Sequence, residues 1–390
     1  MKRLILFSLI LLTLGGVFRP APSEAQPLNM PLVMLIDGDL WTWNPQTDAL
    51  VQLTTWRYNF KPVMSPNGDW VAYKSWATIT VEAINASAPM NPTEPPGNIW
   101  LIDPFTGDAL QIADQPADAV FGTPSGNDRF VARSNPVWSP DGTEVAWTEF
   151  WFPEYASRLV IYNLVSQSTR TVVDELPIGY EQQGPVDVAW GAAGIAYPTT
   201  NYNADAQRFE DTYYFYTSAG SSELGNVTMT EDYMVWHGLF WFTGTQFINA
   251  MENGIAVITG DNLPKLIDPF TGNRVDFMGI MVGYSAWQSL TQGNYVSFGI
   301  YNDGNNNYGL TWSAQSSDGR FLGEIGTSIS YFDTFSKLAI SPDGMSMAYI
   351  ADDGSVQVWQ NGQTMQLPVS NVEAIVWSPV LWTTNYPVGG

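Results

Sequence analysis

Few side chains in this sequence can do chemistry unaided. There is one histidine, His237, and no cysteine. Thiolate nucleophiles, cysteine zinc sites, disulfides and any mechanism needing two histidines are therefore excluded. His237 follows Trp236 in an apolar stretch, where a packed, hydrogen-bonded ring is expected rather than a base or ligand. No Gly-x-Ser-x-Gly elbow occurs. The acidic residues show no spacing that would fix a catalytic carboxylate pair, so no catalytic residue is expected. The local candidate for a cation is Asn302-Asp303-Gly304-Asn305-Asn306-Asn307, where Asp303, Asn305 and Asn307 alternate and their oxygens could converge on Ca²⁺. The glycine and bidentate glutamate of an EF-hand loop are missing from their places, and a plain turn between two strands is the competing reading. No other cofactor is expected.

The larger chemical resource is aromatic: 17 Trp, 18 Tyr and 19 Phe. Seven of these rings, Trp76, Phe121, Trp151, Phe152, Tyr155, Tyr180 and Tyr202, fall in segments inserted between otherwise short connections. Such rings either plug the loops and cap the core, or offer a platform to a protein or glycan partner. On sequence alone both readings stand.

The charge balance narrows the partners. With 38 acidic against 15 basic residues the formal net charge is −23, which disfavours nucleic acid, whose phosphates need a basic face, and anionic lipid. Solubility is the default reading of this acidity. Lys2 and Arg3, the apolar run Leu4 to Val17 and the small-x-small triplet Ser23-Glu24-Ala25 have the form of a secretory signal peptide. The expectation is cleavage before Gln26, an extracytoplasmic location (secreted or periplasmic), no membrane association after cleavage, and one domain over residues 26–390.

The elements that must position these side chains are readable from a repeat. Val63-Met64-Ser65-Pro66-Asn67-Gly68-Asp69-Trp70-Val71-Ala72-Tyr73 recurs as Val137-Trp138-Ser139-Pro140-Asp141-Gly142-Thr143-Glu144-Val145-Ala146-Trp147, and again from Ala339 to Tyr349. Weaker copies begin at Trp190 and Trp287, a truncated one at Val376, and a blurred one is expected near Trp236 to Trp241. In the three clear copies an apolar strand reaches a Ser-Pro-Asx-Gly turn, where Pro presets φ and Gly takes the positive-φ position. A second half-unit follows, as in Ile99 to Gly107, with a strand, an Asx/Pro turn and a returning strand. Leu266 to Gly272 repeats Leu101 to Gly107 letter for letter, yet follows another plausible strand and so could occupy a different position in its unit.

Two hairpins make one four-stranded antiparallel unit, which must stack on neighbours to bury its faces. The Trp-Ser-Pro-Asp-Gly turn followed by Val/Ile-Ala-Tyr/Trp resembles the TolB-type, WD-repeat-like propeller repeat. The resemblance implies an all-β fold, a single β-propeller in the envelope or outside the cell, most often a protein-interaction scaffold. Similar propellers precede the hydrolase domain of prolyl-oligopeptidase-like enzymes, and others bind sugars or act as lyases. Seven blades are expected, with six or eight as alternatives. Residues 32–54 should pair with residues 372–383 to close the ring. The tight turns should share one face and the long insertions the other. Function is therefore expected on the long-loop face, as binding of a protein partner in the envelope or outside the cell, with two alternatives: glycan binding or a glycan-acting enzyme with a central-channel site, and a stand-alone propeller related to peptidase propeller domains.

Overall fold

The computed structural model describes residues 31–44, 47–88, 94–176, 184–191, 194–205, 207–228, 249–251, 254–258, 264–267, 274–276, 285–289, 295–302, 308–315, 321–324, 338–340, 346–351, 353–360 and 363–377. Among them the strands form seven separate antiparallel sheets.

The first sheet joins strands Leu32–Ile36, Asp39–Asn44 and Ala49–Gln52 to Val372–Val376, which pairs with Leu32–Ile36. The second runs Asn59–Met64, Val71–Trp76, Gly97–Ile102, Ala109–Ala113. The third is Glu144–Phe152, Ala156–Asn163 and Ser168–Val173, with a first strand split into Phe130–Arg133 and Val137–Trp138. The fourth begins at Ala189–Gly191, the fifth at Asn249–Met251, the sixth at Ser285–Ser289 and the seventh at Leu338–Ile340. The fifth sheet thus starts downstream of the Trp236–Trp241 copy expected from the repeat, which lies outside the described residues. Its third strand, Pro264–Ile267, carries the repeated Leu266-Ile267, and Leu101-Ile102 closes the third strand of the second sheet. The Leu-Ile that opens each copy occupies the same place, because the strand ahead of each is its sheet's second strand.

Local chemistry closes the tight turns. At Ser65-Pro66-Asn67-Gly68 the Gly68 N–H donates to Ser65 O (2.9 Å), and the Ser65 Oγ accepts from Trp70 N (3.0 Å). At Ser139 to Gly142 the same two bonds recur, from Gly142 N to Ser139 O and from Glu144 N to Ser139 Oγ, both 2.9 Å. Gly68 and Gly142 sit at φ 77° and 70°, the left-handed region their lack of Cβ permits.

The sheets stack face to face, and their strands are apolar on both sides because both sides are covered. In Leu32–Ile36, Leu32 and Met34 pack toward the seventh sheet with Ala348, Ile350 and Val358, while Val33 and Leu35 pack toward the second with Met64, Val71 and Tyr73. Val145 and Trp147 face the second sheet; Ala146 faces the fourth with Ile195 and Tyr197. The Ala of the repeat (Ala72, Ala146, Ala196, Ala348) is fully buried each time, as the close approach of two sheets requires. Each large side chain so buried contributes roughly 1.5–3 kcal/mol. Between inner strands, Trp138 Nε1–H donates to Val63 O at 3.0 Å. Stacked four-stranded antiparallel sheets of this kind are the architecture of a β-propeller.

Candidate functional site

Within an antiparallel sheet, the first-to-second and third-to-fourth turns share one end. The second-to-third connections, and the links from one sheet to the next, share the other. The inserted segments fall at that second end, but fewer of them are loops than the sequence suggested. Phe150–Ser157 is strand but for a short turn, and Thr199–Asp211 extends two strands, Gly194–Asn203 and Arg208–Thr217. Alternating aromatic and β-branched residues favour that extension over a loop. Ser75–Asn98 carries a helix, Thr78–Asn85, with Thr80, Val81 and Ala83 buried and Thr80 Oγ–H bonded to Pro96 O (2.8 Å). Ala113–Asn135 supplies the added strand Phe130–Arg133.

The first group of rings lies where the first sheet passes to the second. Trp76 stacks on Tyr58 (centroids 5.4 Å, 21° between planes), packs against Phe60 (5.0 Å), and Trp56 meets Tyr58 edge-on (5.9 Å). Trp56 is 40% exposed and its Nε1–H donates to Trp76 O (3.2 Å). A buried carboxylate fixes this connection: Asp39 accepts from Arg57 N (2.8 Å), Thr54 Oγ (3.0 Å) and Gln52 Nε2 (3.3 Å). Gly38 packs so closely on the same segment that a Cβ would stand 2.2 Å from Arg57 O. Nearby, Gly38 N–H donates to Glu373 Oε1 at 3.1 Å. Burial, and to a smaller degree the charge of Asp37, lift the Glu373 carboxyl above its usual range despite that bond.

A second group joins the helix to the third sheet. Phe152 stacks on Phe130 (5.2 Å, 17°), Phe121 and Phe130 meet edge-on (5.1 Å), and Tyr155 lies edge-on to Phe150 and Phe152. Ile79 and Ala83 of the helix complete this cluster. Phe121 is buried within it, whereas Tyr155 is 53% exposed. Trp151 turns to the other side of the strand, its ring under the Arg158 guanidinium at 4.8 Å.

Of the rings singled out by sequence, Trp76, Trp151 and Phe152 are partly exposed, Tyr155 is exposed and Phe121 is buried. Tyr180 lies outside the described residues. Tyr202 is placed only through its backbone, paired with Phe209, and its side chain lies outside the description. Asp303, Asn305 and Asn307 likewise lie outside it, between the paired strands Tyr295–Asn302 and Tyr308–Gln315; His237 does too. Among the described residues no group of three or more His, Cys, Asp or Glu could hold a metal ion, and no helix is long and apolar enough to cross a membrane. Sequence reasoning missed Trp56, Tyr58 and Arg158. The first two sit in a short inter-sheet link rather than an insertion, though the Trp-x-Tyr-x-Phe alternation over 56–60 was available as a signal.

No family model matches the chain, and no curated protein does. Among solved structures it is similar to the β-propeller domain of the Trilobed protease from Pyrococcus furiosus, with 11% identity and a TM-score of 0.51 over 88% of this chain and 98% of that one. This likeness shows a shared β-propeller fold and, at that identity, the fold alone. TolB from Acinetobacter baumannii matches over 90% of this chain and 66% of its own at 13% identity, with a TM-score of 0.38. The acylaminoacyl peptidase of Pyrococcus horikoshii matches over 85% and 48% at 10% identity, with a TM-score of 0.48. This chain spans about half of that peptidase and just under two thirds of TolB.

Proposed function

We propose that this protein is an exported, non-enzymatic propeller, its seven described sheets forming one closed ring, that binds a protein partner through the end bearing the long connections. The observation that carries the reading is the Trp56–Tyr58–Trp76 ladder. Its rings are held in place by Asp39 and by the Trp56–Trp76 hydrogen bond, yet Trp56 keeps 40% of its surface in water. A large, pre-ordered aromatic surface is what a binding anchor needs, since little side-chain entropy remains to be lost on docking. The test is chemical cross-linking of the protein in its native extracytoplasmic fraction, wild type beside Trp56→Ala and Trp76→Ala. A partner captured by wild type and lost from both variants supports the reading; the same proteins captured by all three sink it. A glycan is the second reading, favoured by the same half-exposed indole. Binding on a glycan array, or release of reducing ends from polysaccharides, would bring it forward.

A further inference from the structure

One row of side chains in the third sheet carries a charge that nothing described neutralises. Arg133, Glu149 and Arg158 stand directly opposite one another on three neighbouring strands, so their side chains share one face of the sheet. Glu149 is buried and already served: Oε1 accepts from Arg133 Nε (2.8 Å) and Trp147 Nε1 (3.2 Å), and Oε2 accepts from Trp151 Nε1 (3.0 Å). Arg133 engages its other two nitrogens as well, giving them to Gly97 O and Asp114 O at 2.8 Å each. Arg158 is left over. Its guanidinium lies over the face of Trp151, whose N–H is turned to Glu149, and its Nε is buried with no hydrogen-bond partner. Ion pairs among the described residues take up Lys74, Arg129, Arg133 and Arg170, and none includes Arg158. In a chain of net charge −23, acidic partners are plentiful, so an arginine kept without one calls for an explanation.

We propose that Arg158, propped on Trp151, is a binding site for a single carboxylate on an apolar-flanked peptide segment. A guanidinium fork pairs with a carboxylate in two parallel hydrogen bonds, and the indole beneath it holds the fork in place. The row then reads Arg133–Glu149 as a closed pair and Arg158–ligand as its open counterpart. The Trp151 indole, partly in solvent on the same face, suits an apolar neighbour of the carboxylate, whereas Tyr155 packs on the opposite face against Phe150 and Phe152. Polyanions such as uronide chains are disfavoured, because the protein's overall charge repels them. The inference deepens the protein-partner reading and rests on it, but its residues are separate from the Trp56–Trp76 ladder.

The probe is 3-phenylpropionate, with its amide as the neutral isostere and digalacturonate as the acidic sugar, titrated calorimetrically into the full chain. The acid is expected to bind with Kd on the order of 1 mM, the amide at least about tenfold more weakly, and Arg158→Gln should lose about tenfold or more in affinity for the acid. Equal binding of acid and amide, or unchanged binding by Arg158→Gln, overturns the site; tighter binding of digalacturonate overturns the peptide assignment. Thermal melting separates a structural role: Arg158→Gln should melt at or above the wild-type midpoint, whereas Arg133→Gln, which strands Glu149, should melt well below it. An Arg158→Gln midpoint as low as that of Arg133→Gln would also overturn the proposal. If Arg158→Gln does not fold, Arg158→Lys must bind the acid more weakly than wild type, and equal binding rejects the site. Failure here leaves the cross-linking result at Trp56 and Trp76 untouched, and the reverse holds too.

Discussion

Two carboxylates at opposite ends of the sheets respond to pH in opposite directions. Asp141 accepts from Ser139 Oγ (2.6 Å), Thr143 N (3.0 Å) and Thr143 Oγ (2.9 Å), and the Ser139 bond above all holds its carboxyl below the usual range. A depressed carboxyl stabilises the fold above its unfolded value and loses that contribution as pH falls through its folded one. Asp141→Asn should therefore cost about 0.5 kcal/mol near neutrality, a small figure because the residue is exposed, and less in acid. Glu373 is the reverse case. Its raised carboxyl makes the charged form unfavourable at neutral pH, and that penalty fades as protonation proceeds toward about pH 4. Glu373→Gln keeps an acceptor for Gly38 N–H, so its melting midpoint should exceed wild type at pH 7 and converge on it near pH 4. A lower midpoint at pH 7 would show that the charge itself is needed.

At the scale of the element, the turns were legible and the strand extensions were not. Ser65-Pro66-Asn67-Gly68 and Ser139-Pro140-Asp141-Gly142 encode their geometry locally, in a Pro, a short oxygen side chain and a Gly, so sequence suffices. Phe130–Arg133 reads as part of a long loop because Ser134, Asn135 and Pro136 interrupt it. Only the long partner strand Glu144–Phe152 gathers it back. The Arg158 site was illegible for the same reason: its surplus charge emerges from pairings across three strands, 16 positions or more along the chain for Arg133 and Glu149. Trp56 and Tyr58 lie in a short link between two strands, where chain length carries no signal of an exposed surface. Two measurements probe the elements. Trp147→Ala, emptying a fully buried position between the second and third sheets, should cost about 3–5 kcal/mol in chemical denaturation. Gly38→Ala should cost about 1–3 kcal/mol or more, since it combines a φ of 77° with a backbone oxygen that cannot move aside.

For the molecule as a whole, stability is shared between sheets that each complete their neighbours. Val372–Val376 contributes Val372 and Ile375 to the layer facing the seventh sheet, beside the following Trp377, and hydrogen-bonds to Leu32–Ile36. Ending the chain after Asn371 should remove several kcal/mol and broaden the unfolding transition; a midpoint and slope equal to wild type would contradict this. The pairing also dictates a timetable. A ribosome delivers Leu32–Ile36 early and Val372–Val376 more than three hundred residues later, so throughout elongation the first sheet waits with one apolar edge unclaimed. Whatever holds the emerging chain must shield that edge until the final strand arrives.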